Sequence, residues 1–258
     1  MRWEVAVALA ASGCSAVFGI DTPVLNDAGL APNDATVGTV CVGPGNFQVC
    51  VPGDVSNLTF ASDRIIITDQ MCPVADAAHP TWCIYAGRNV VVSASVVATG
   101  SRPFVLIGLE SLTIVSTGVV DVASHHAISP GAGVGAGGGD DPQCANAGTG
   151  MASVAGGGGG AGGTYTTNGG DGGKGSGTVG GVAAAVDPTK VLGTTLRGGC
   201  EGGTGGAGSN AADAGGAGGG AVYLGTNGNL RNDGTVNASG AGGGQGNPSK
   251  SGGSGGGS

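Results

Sequence analysis

The sequence predicts an all-β protein: parallel β-helix, or solenoid, rungs with a long glycine-rich insertion. Three observations lead there. Short runs rich in Val, Ile, Thr and Leu, bounded by Gly, Pro, Asn and Asp, recur from Val40 to Ser124, and no segment carries a 3.6-residue apolar period. A unit of roughly 20 to 25 residues recurs across a large gap, as stacked repeats do. The 60 glycines are partitioned, 11 in residues 1–126 and 49 in residues 127–258, against an average usage of about 7%.

Composition narrows the function classes. Nine Lys and Arg against 17 Asp and Glu give a net charge of −8, so binding nucleic acid through phosphate neutralisation is excluded as an expectation. Charged residues make up only 10% of the chain, too few for a charge-rich disordered protein. The second half has so few large side chains that order there must come from backbone packing.

Taken in order, residues 1–14 read as a lipoprotein-type signal. Val5 to Ala11 is a short apolar run, and Ser12-Gly13-Cys14-Ser15 sets two small residues before a cysteine. Cleavage there would leave Cys14 as the lipidation site, although Ala11 stands where Leu is usual and Arg2 is offset by Glu4. Ser15 follows Cys14 in place of the Asp of inner-membrane retention, so the expected location is the cell envelope, as an outer-membrane lipoprotein or at the extracellular surface. Residues 15–39 read as a tether. Removing Cys14 leaves six cysteines, an even number suited to an oxidising compartment. Cys41 and Cys50 bracket a Gly-Pro-Gly-Asn turn, and Cys72 and Cys83 bracket a short loop with two prolines. That leaves Cys144 and Cys200 to pair across the glycine-rich half; other pairings stay open at this point. None of these spacings resembles a zinc site.

Residues 40–124 are the β-rich rungs, with strand runs at 64–68, 89–92, 104–107 and 112–115. Residues 104–124 align with 221–239: Gly108 falls on Gly225, Gly118 on Gly234, Val120 on Val236 and Asp121 on Asn237. Each unit reads as three short strands, and a weaker copy begins near Asn89, about 22 residues before Ser111. Residues 125–220 are then a glycine-rich insertion between rungs, and 221–240 the returning rung. Residues 241–258 start a second glycine-rich segment with no returning rung, which reads as a truncated fragment.

Within the insertion many glycines fall in triplets, as at Asn168-Gly169-Gly170, Asp171-Gly172-Gly173 and Thr204-Gly205-Gly206. Three is the period of polyproline II, and two bare positions in three let neighbouring helices approach. A packed polyproline-II bundle is favoured over a flexible linker, because the segment also carries Cys144, Cys200, Val182, Val186, Val191 and Leu192.

The path from Cys14-Ser15-Ala16-Val17-Phe18-Gly19-Ile20-Asp21 through Gly100-Ser101-Arg102-Pro103-Phe104-Val105-Leu106, Ser124-His125 and Thr195-Leu196-Arg197-Gly198-Gly199-Cys200 to Gly218-Gly219-Gly220-Ala221-Val222-Tyr223-Leu224 and Val236-Asn237-Ala238-Ser239-Gly240 resembles the glycine-rich surface lipoproteins of myxobacteria, sometimes labelled PE-PGRS-like on composition. The resemblance covers nearly the whole chain. It implies a location and an architecture, and no activity or functional residue. In that family further rungs follow the glycine segment, so the end at Ser258 is a departure.

Motifs for chemistry are weak. Gly252-Gly253-Ser254-Gly255-Gly256 has the letters of a nucleophile elbow without its strand and helix. Lys174 is followed by Gly175 where a P-loop needs Ser or Thr. Asp140 and Asp141 are the one paired carboxylate of the insertion and resemble a piece of the polygalacturonase pattern, but the family's basic and histidine motifs are missing and a glycine loop does not fix two carboxylates. His125-His126, with His79 elsewhere, reads as a solvated pair rather than a metal site. No calcium nonapeptide occurs in register. The expectation is a non-enzymatic envelope lipoprotein of structural or adhesive role, without catalytic residues, cofactor or metal. Its partners would be the membrane, through the lipid, and surface polysaccharide or other cells. The alternatives are a β-helical carbohydrate-active protein, which would bind or cleave polysaccharide, and a non-functional gene remnant.

Overall fold

The computed structural model describes residues 38–70, 72–125, 135–138, 144, 147–165, 168–183, 196–208, 212 and 214–243, all within one compact unit, Val37–Ser258. Cys14, the signal and nearly all of the tether lie outside them. The first elements among the described residues form an antiparallel hairpin, β1 (Thr39–Val42) and β2 (Val49–Pro52), joined through a 3-10 turn at Gly45–Phe47. Eight further strands follow in two sheets, β3 (Leu58–Phe60), β4 (Arg64–Ile67), β5 (Cys83–Val92), β6 (Ser95–Thr99), β7 (Phe104–Ile114), β8 (Val119–Asp121), β10 (Asn229–Asn232) and β11 (Thr235–Asn237); a ninth, β9 (Val222–Thr226), precedes β10. One sheet has the order β10-β7-β5-β3, with β9 also on β7; the other has the order β11-β8-β6-β4. Every pairing in these two sheets is parallel.

The expected parallel β-helix is therefore corrected to two parallel sheets and an antiparallel hairpin. The runs 104–107 and 112–115, expected as separate short strands, fall in one eleven-residue strand that ends at Ile114. Gly108 and Leu109 lie within β7, which bends there: the register against β5 shifts between Gly87 and Asn89, and a Cβ on Gly108 would stand 2.1 Å from the Ser111 carbonyl oxygen. Among the described residues no third sheet closes a coil. The repeat register is corrected too. Gly225 lies opposite Ile107 and Thr226 opposite Gly108, one residue from the alignment that matched glycine to glycine. A one-residue slip would exchange the faces of a strand, and apolar burial decides it: Leu224 stands on the fully buried Leu106 and Val222 on Phe104. Further on, Asn89 opposite Ser111, Val120 opposite Val236 and Asp121 opposite Asn237 agree with the repeat.

Two cores explain the composition of β7. Phe104, Leu106, Leu112 and Ile114 join Phe60, Val90, Val92, Val96 and Val120 between the sheets. Val105 and Ile107 point the other way, into a second cluster with Val42, Val49, Val51, Trp82 and Ile84 under the hairpin. Side chains alternate along a strand, and a strand covered on both faces reads as a continuous apolar run; that is why Phe-Val-Leu-Ile stands at its start. Gly43, at φ 97°, permits the hairpin to close on Tyr223: a Cβ there would meet the Tyr223 hydroxyl at 2.2 Å. Polar side chains link successive strands, from Asn57 just before β3 to Asn89 within β5 and Ser111 within β7. Asn89 donates through N and Nδ2 to Asn57 Oδ1, both 3.2 Å, and Ser111 Oγ donates to Asn89 Oδ1 at 2.7 Å.

The glycine-rich block is packed by its backbone. Gly158 N and Ala161 N, three apart, donate to Met151 O (2.9 Å) and Gly148 O (2.9 Å). Gly159 N and Gly162 N donate to a different neighbour, at Gly173 O (2.7 Å) and Gly170 O (2.8 Å). The carbonyls of Gly158 and Ala161 accept from Gly206 N and Gly203 N, both 2.7 Å, and that of Gly159 from Gly181 N at 2.8 Å. The segment 157–163 is thus bonded to four others. A sheet strand has two hydrogen-bonded neighbours, so this block is no sheet, and donors three residues apart share one partner. Added Cβ atoms show the spacing: at Gly157, Gly160, Gly172, Gly180 and Gly181 they would lie 1.8 to 2.1 Å from a neighbouring carbonyl oxygen.

Candidate functional site

A groove of about 570 Å³ opens beside the hairpin, lined by Asn46, Gln48, His79, Thr81, Trp82 and Leu196 among others. Its floor is built by the loop between the paired Cys72 and Cys83. Arg102 holds this loop from below, donating to the carbonyls of Gln70 and Thr81, both 3.2 Å, and of Trp82. His79 stacks on Trp82 with ring centres 3.8 Å apart, and Trp82 in turn meets Phe47 at 6.3 Å and Tyr223 at 6.4 Å. Burial raises the Tyr223 phenol above its ordinary value.

His79 bridges two chain segments. Its Nδ1 lies 2.8 Å from Asp76 Oδ2 and its Nε2 2.9 Å from the Asn46 carbonyl. Both ring nitrogens are thus engaged within the protein, and neither faces the groove as a free base. The Asp76 carboxylate, itself buried, also accepts from Ala78 N at 3.1 Å and Cys50 N at 3.4 Å. Burial pushes the Asp76 carboxyl up, but the His79 bond, the two N–H groups and the charge on His79 outweigh it and hold it below the ordinary carboxylate range. The pair is a clasp between the 3-10 turn and the Cys72–Cys83 loop.

That depressed value makes a pH prediction. The folded value lies below the unfolded one, about 3.9, so the clasp's contribution is fully present above the unfolded value and is lost as pH falls through the folded one. Asp76→Asn is expected to cost about 2 kcal/mol at pH 7 in urea unfolding. The gap between variant and parent should close as the pH is lowered towards about 2.

The structure pairs Cys41 with Cys50, Cys72 with Cys83 and Cys144 with Cys200, the connectivity that local closure favoured. His125 Nε2 lies 3.2 Å from Asp121 Oδ2 at the end of β8, a half-buried i, i+4 contact; His126, Asp140 and Asp141 lie outside the described residues. Among the described residues no group of three or more His, Cys, Asp or Glu could hold a metal ion, and no helix is long and apolar enough to cross a membrane. The groove was missed from sequence. Its one available signal was Asp76 and His79 three apart inside a cysteine-bracketed loop, whose partner, the Asn46 carbonyl, is a backbone group that no side-chain pattern announces.

No protein-family model, curated protein or solved structure was found to match the chain.

Proposed function

We propose that the protein is a non-enzymatic lipoprotein of the cell envelope, anchored through Cys14, with a structural or adhesive role at the outer membrane or extracellular surface. The observation that carries the adhesive reading is the surface of the glycine-rich block. Met151, Val154, Val179 and Val182 are 54%, 78%, 53% and 73% exposed, on two adjacent segments joined by Met151 N to Val179 O at 3.1 Å and Gly148 N to Val182 O at 3.1 Å. Apolar side chains grouped on an otherwise bare backbone surface suit a binding face. Three disulfides fit an oxidising compartment, and the resemblance to myxobacterial surface lipoproteins points the same way. Its partners would be surface polysaccharide or other cells.

Two experiments test the two halves of the reading. Cys14→Ala should move the protein from the membrane to the soluble fraction; unchanged partitioning would remove the anchor. Val154→Lys with Val182→Lys should abolish retention on whole cells while leaving the melting curve unchanged, and undiminished retention would remove the adhesive face.

A second reading, a polysaccharide-binding protein, is favoured by the groove, where Asn46, Gln48 and Thr81 surround an aromatic floor. Glycan-array binding lost in Gln48→Ala would support it, and an array without signal would count against it.

A further inference from the structure

Arg197 stands against the disulfide that ties the glycine-rich block. Its Nη1 lies 3.7 Å from Cys200 Sγ and 4.0 Å from Cys144 Sγ, and its Nη2 lies 3.5 Å from the Tyr165 carbonyl. The guanidinium carbon sits 5.0 Å from the centre of the Tyr165 ring. The cation is therefore held in place by a ring and two carbonyls, the second being that of Gly198 at 3.4 Å from Nη1. The other two disulfides are surrounded differently, although Arg102 bonds the Gln70 and Trp82 carbonyls beside Cys72 and Cys83. The Cys50 N–H is bonded to the Asp76 carboxylate, and Cys72 Sγ faces the carbonyl oxygens of Thr68 at 3.7 Å and Gln70 at 3.6 Å. Among the described residues neither carries a hydrogen bond from a cationic side chain to sulfur.

A cation beside sulfur favours thiolate over thiol, and a better thiolate leaves faster from a disulfide. We propose that Cys144–Cys200 is a thiol–disulfide exchange site whose reaction partner is a dithiol reductant, with Arg197 stabilising Cys200 as the leaving thiolate. Cys144 is the more exposed residue of the pair, part-exposed while Cys200 is 2% exposed, and so the side from which attack is proposed. One thiolate of the dithiol attacks Cys144 Sγ; a mixed disulfide forms, the Cys144–Cys200 bond breaks, and its electron pair departs on Cys200 Sγ beside Arg197. The second thiolate of the dithiol then attacks its own sulfur of the mixed disulfide, closing a cyclic disulfide and releasing Cys144. The dithiol loses two electrons and two protons; one proton ends on Cys144 and one goes to solvent while Cys200 stays a thiolate. The reaction unties a 56-residue connection.

Exposure alone predicts another order, because Cys41 is the exposed cysteine of the Cys41–Cys50 pair. The native protein is treated with increasing dithiothreitol, pulse-alkylated, and mapped by peptide mass. Cys144 and Cys200 are expected to label at about tenfold less reductant than the other four. Labelling of Cys41 and Cys50 first, or of all six together, would overturn the proposal. Arg197→Met should raise the reductant needed for Cys144 and Cys200 about tenfold and move alkylation of Cys200 to higher pH, with Arg197→Lys restoring part of both. An unchanged threshold and pH profile in Arg197→Met would overturn the role of the guanidinium; should that variant not fold, the order of labelling in the parent protein decides alone.

Discussion

Gly160→Ala and Gly181→Ala are expected to break the glycine-rich block, and Gly173→Ala to leave it intact. A Cβ on Gly160 would stand 2.0 Å from Gly203 O and one on Gly181 1.9 Å from Gly148 O, while at Gly173 nothing lies within 4 Å. The atoms met at the first two positions are backbone of segments bonded on several sides, so no rotamer change relieves the clash. Overpacking of this kind costs about 3 kcal/mol. At Gly173, which is exposed, alanine only reduces the freedom of the unfolded chain and stabilises by up to about 1 kcal/mol. Urea unfolding of the three variants checks the contrast. Equal effects at all three would mean that glycine is present for flexibility rather than for close approach.

Removing the Cys144–Cys200 disulfide by a double change to Ser is the second large effect. It closes 56 residues, against 9 for Cys41–Cys50, and loop entropy gives a loss of about 4 kcal/mol for the long closure and about 2.5 kcal/mol for the short one. The block that the long closure ties has little apolar area of its own, with Ala161 among its few fully buried side chains, so the loss should appear there first. Amides of the block are expected to lose protection while those of β5 and β7, in the core between the sheets, keep theirs. A midpoint shift for Cys144→Ser with Cys200→Ser no larger than for Cys41→Ser with Cys50→Ser would contradict the tie.

Legibility differed between the halves. In the first, the runs at 64–68, 89–92 and 104–107 announced β4, β5 and β7, because β-branched residues in a half- or fully covered sheet leave an apolar record. What they did not announce was continuity. Gly87 and Gly108 look like strand ends in a sequence, yet both are buried within strands; a Cβ on Gly87 would stand 2.7 Å from the Leu58 side chain. Glycine marked a close approach at Gly87 and, at Gly108, a bend inside a strand that continues past it, and so three-strand rungs were read in place of two sheets. The same ambiguity shifted the register at Gly225 by one residue. In the second half the triplet spacing did carry information, since donors three apart share a partner, but which segment meets which is decided by backbone groups common to every residue. The clasp at His79 was illegible for a like reason, and Arg197 beside Cys200 stood three residues away without any spacing rule to flag it.

The glycine-rich block is ordered by its own backbone. Native-state hydrogen exchange of the amides of Gly158, Ala161, Gly181, Gly203 and Gly206, each a donor at 2.7 to 2.9 Å, tests this most directly. Protection of these five well above the unfolded-chain rate, comparable with that of β5 and β7, is the predicted result. Exchange of all five at the unfolded-chain rate in a protein whose sheets stay protected would contradict it.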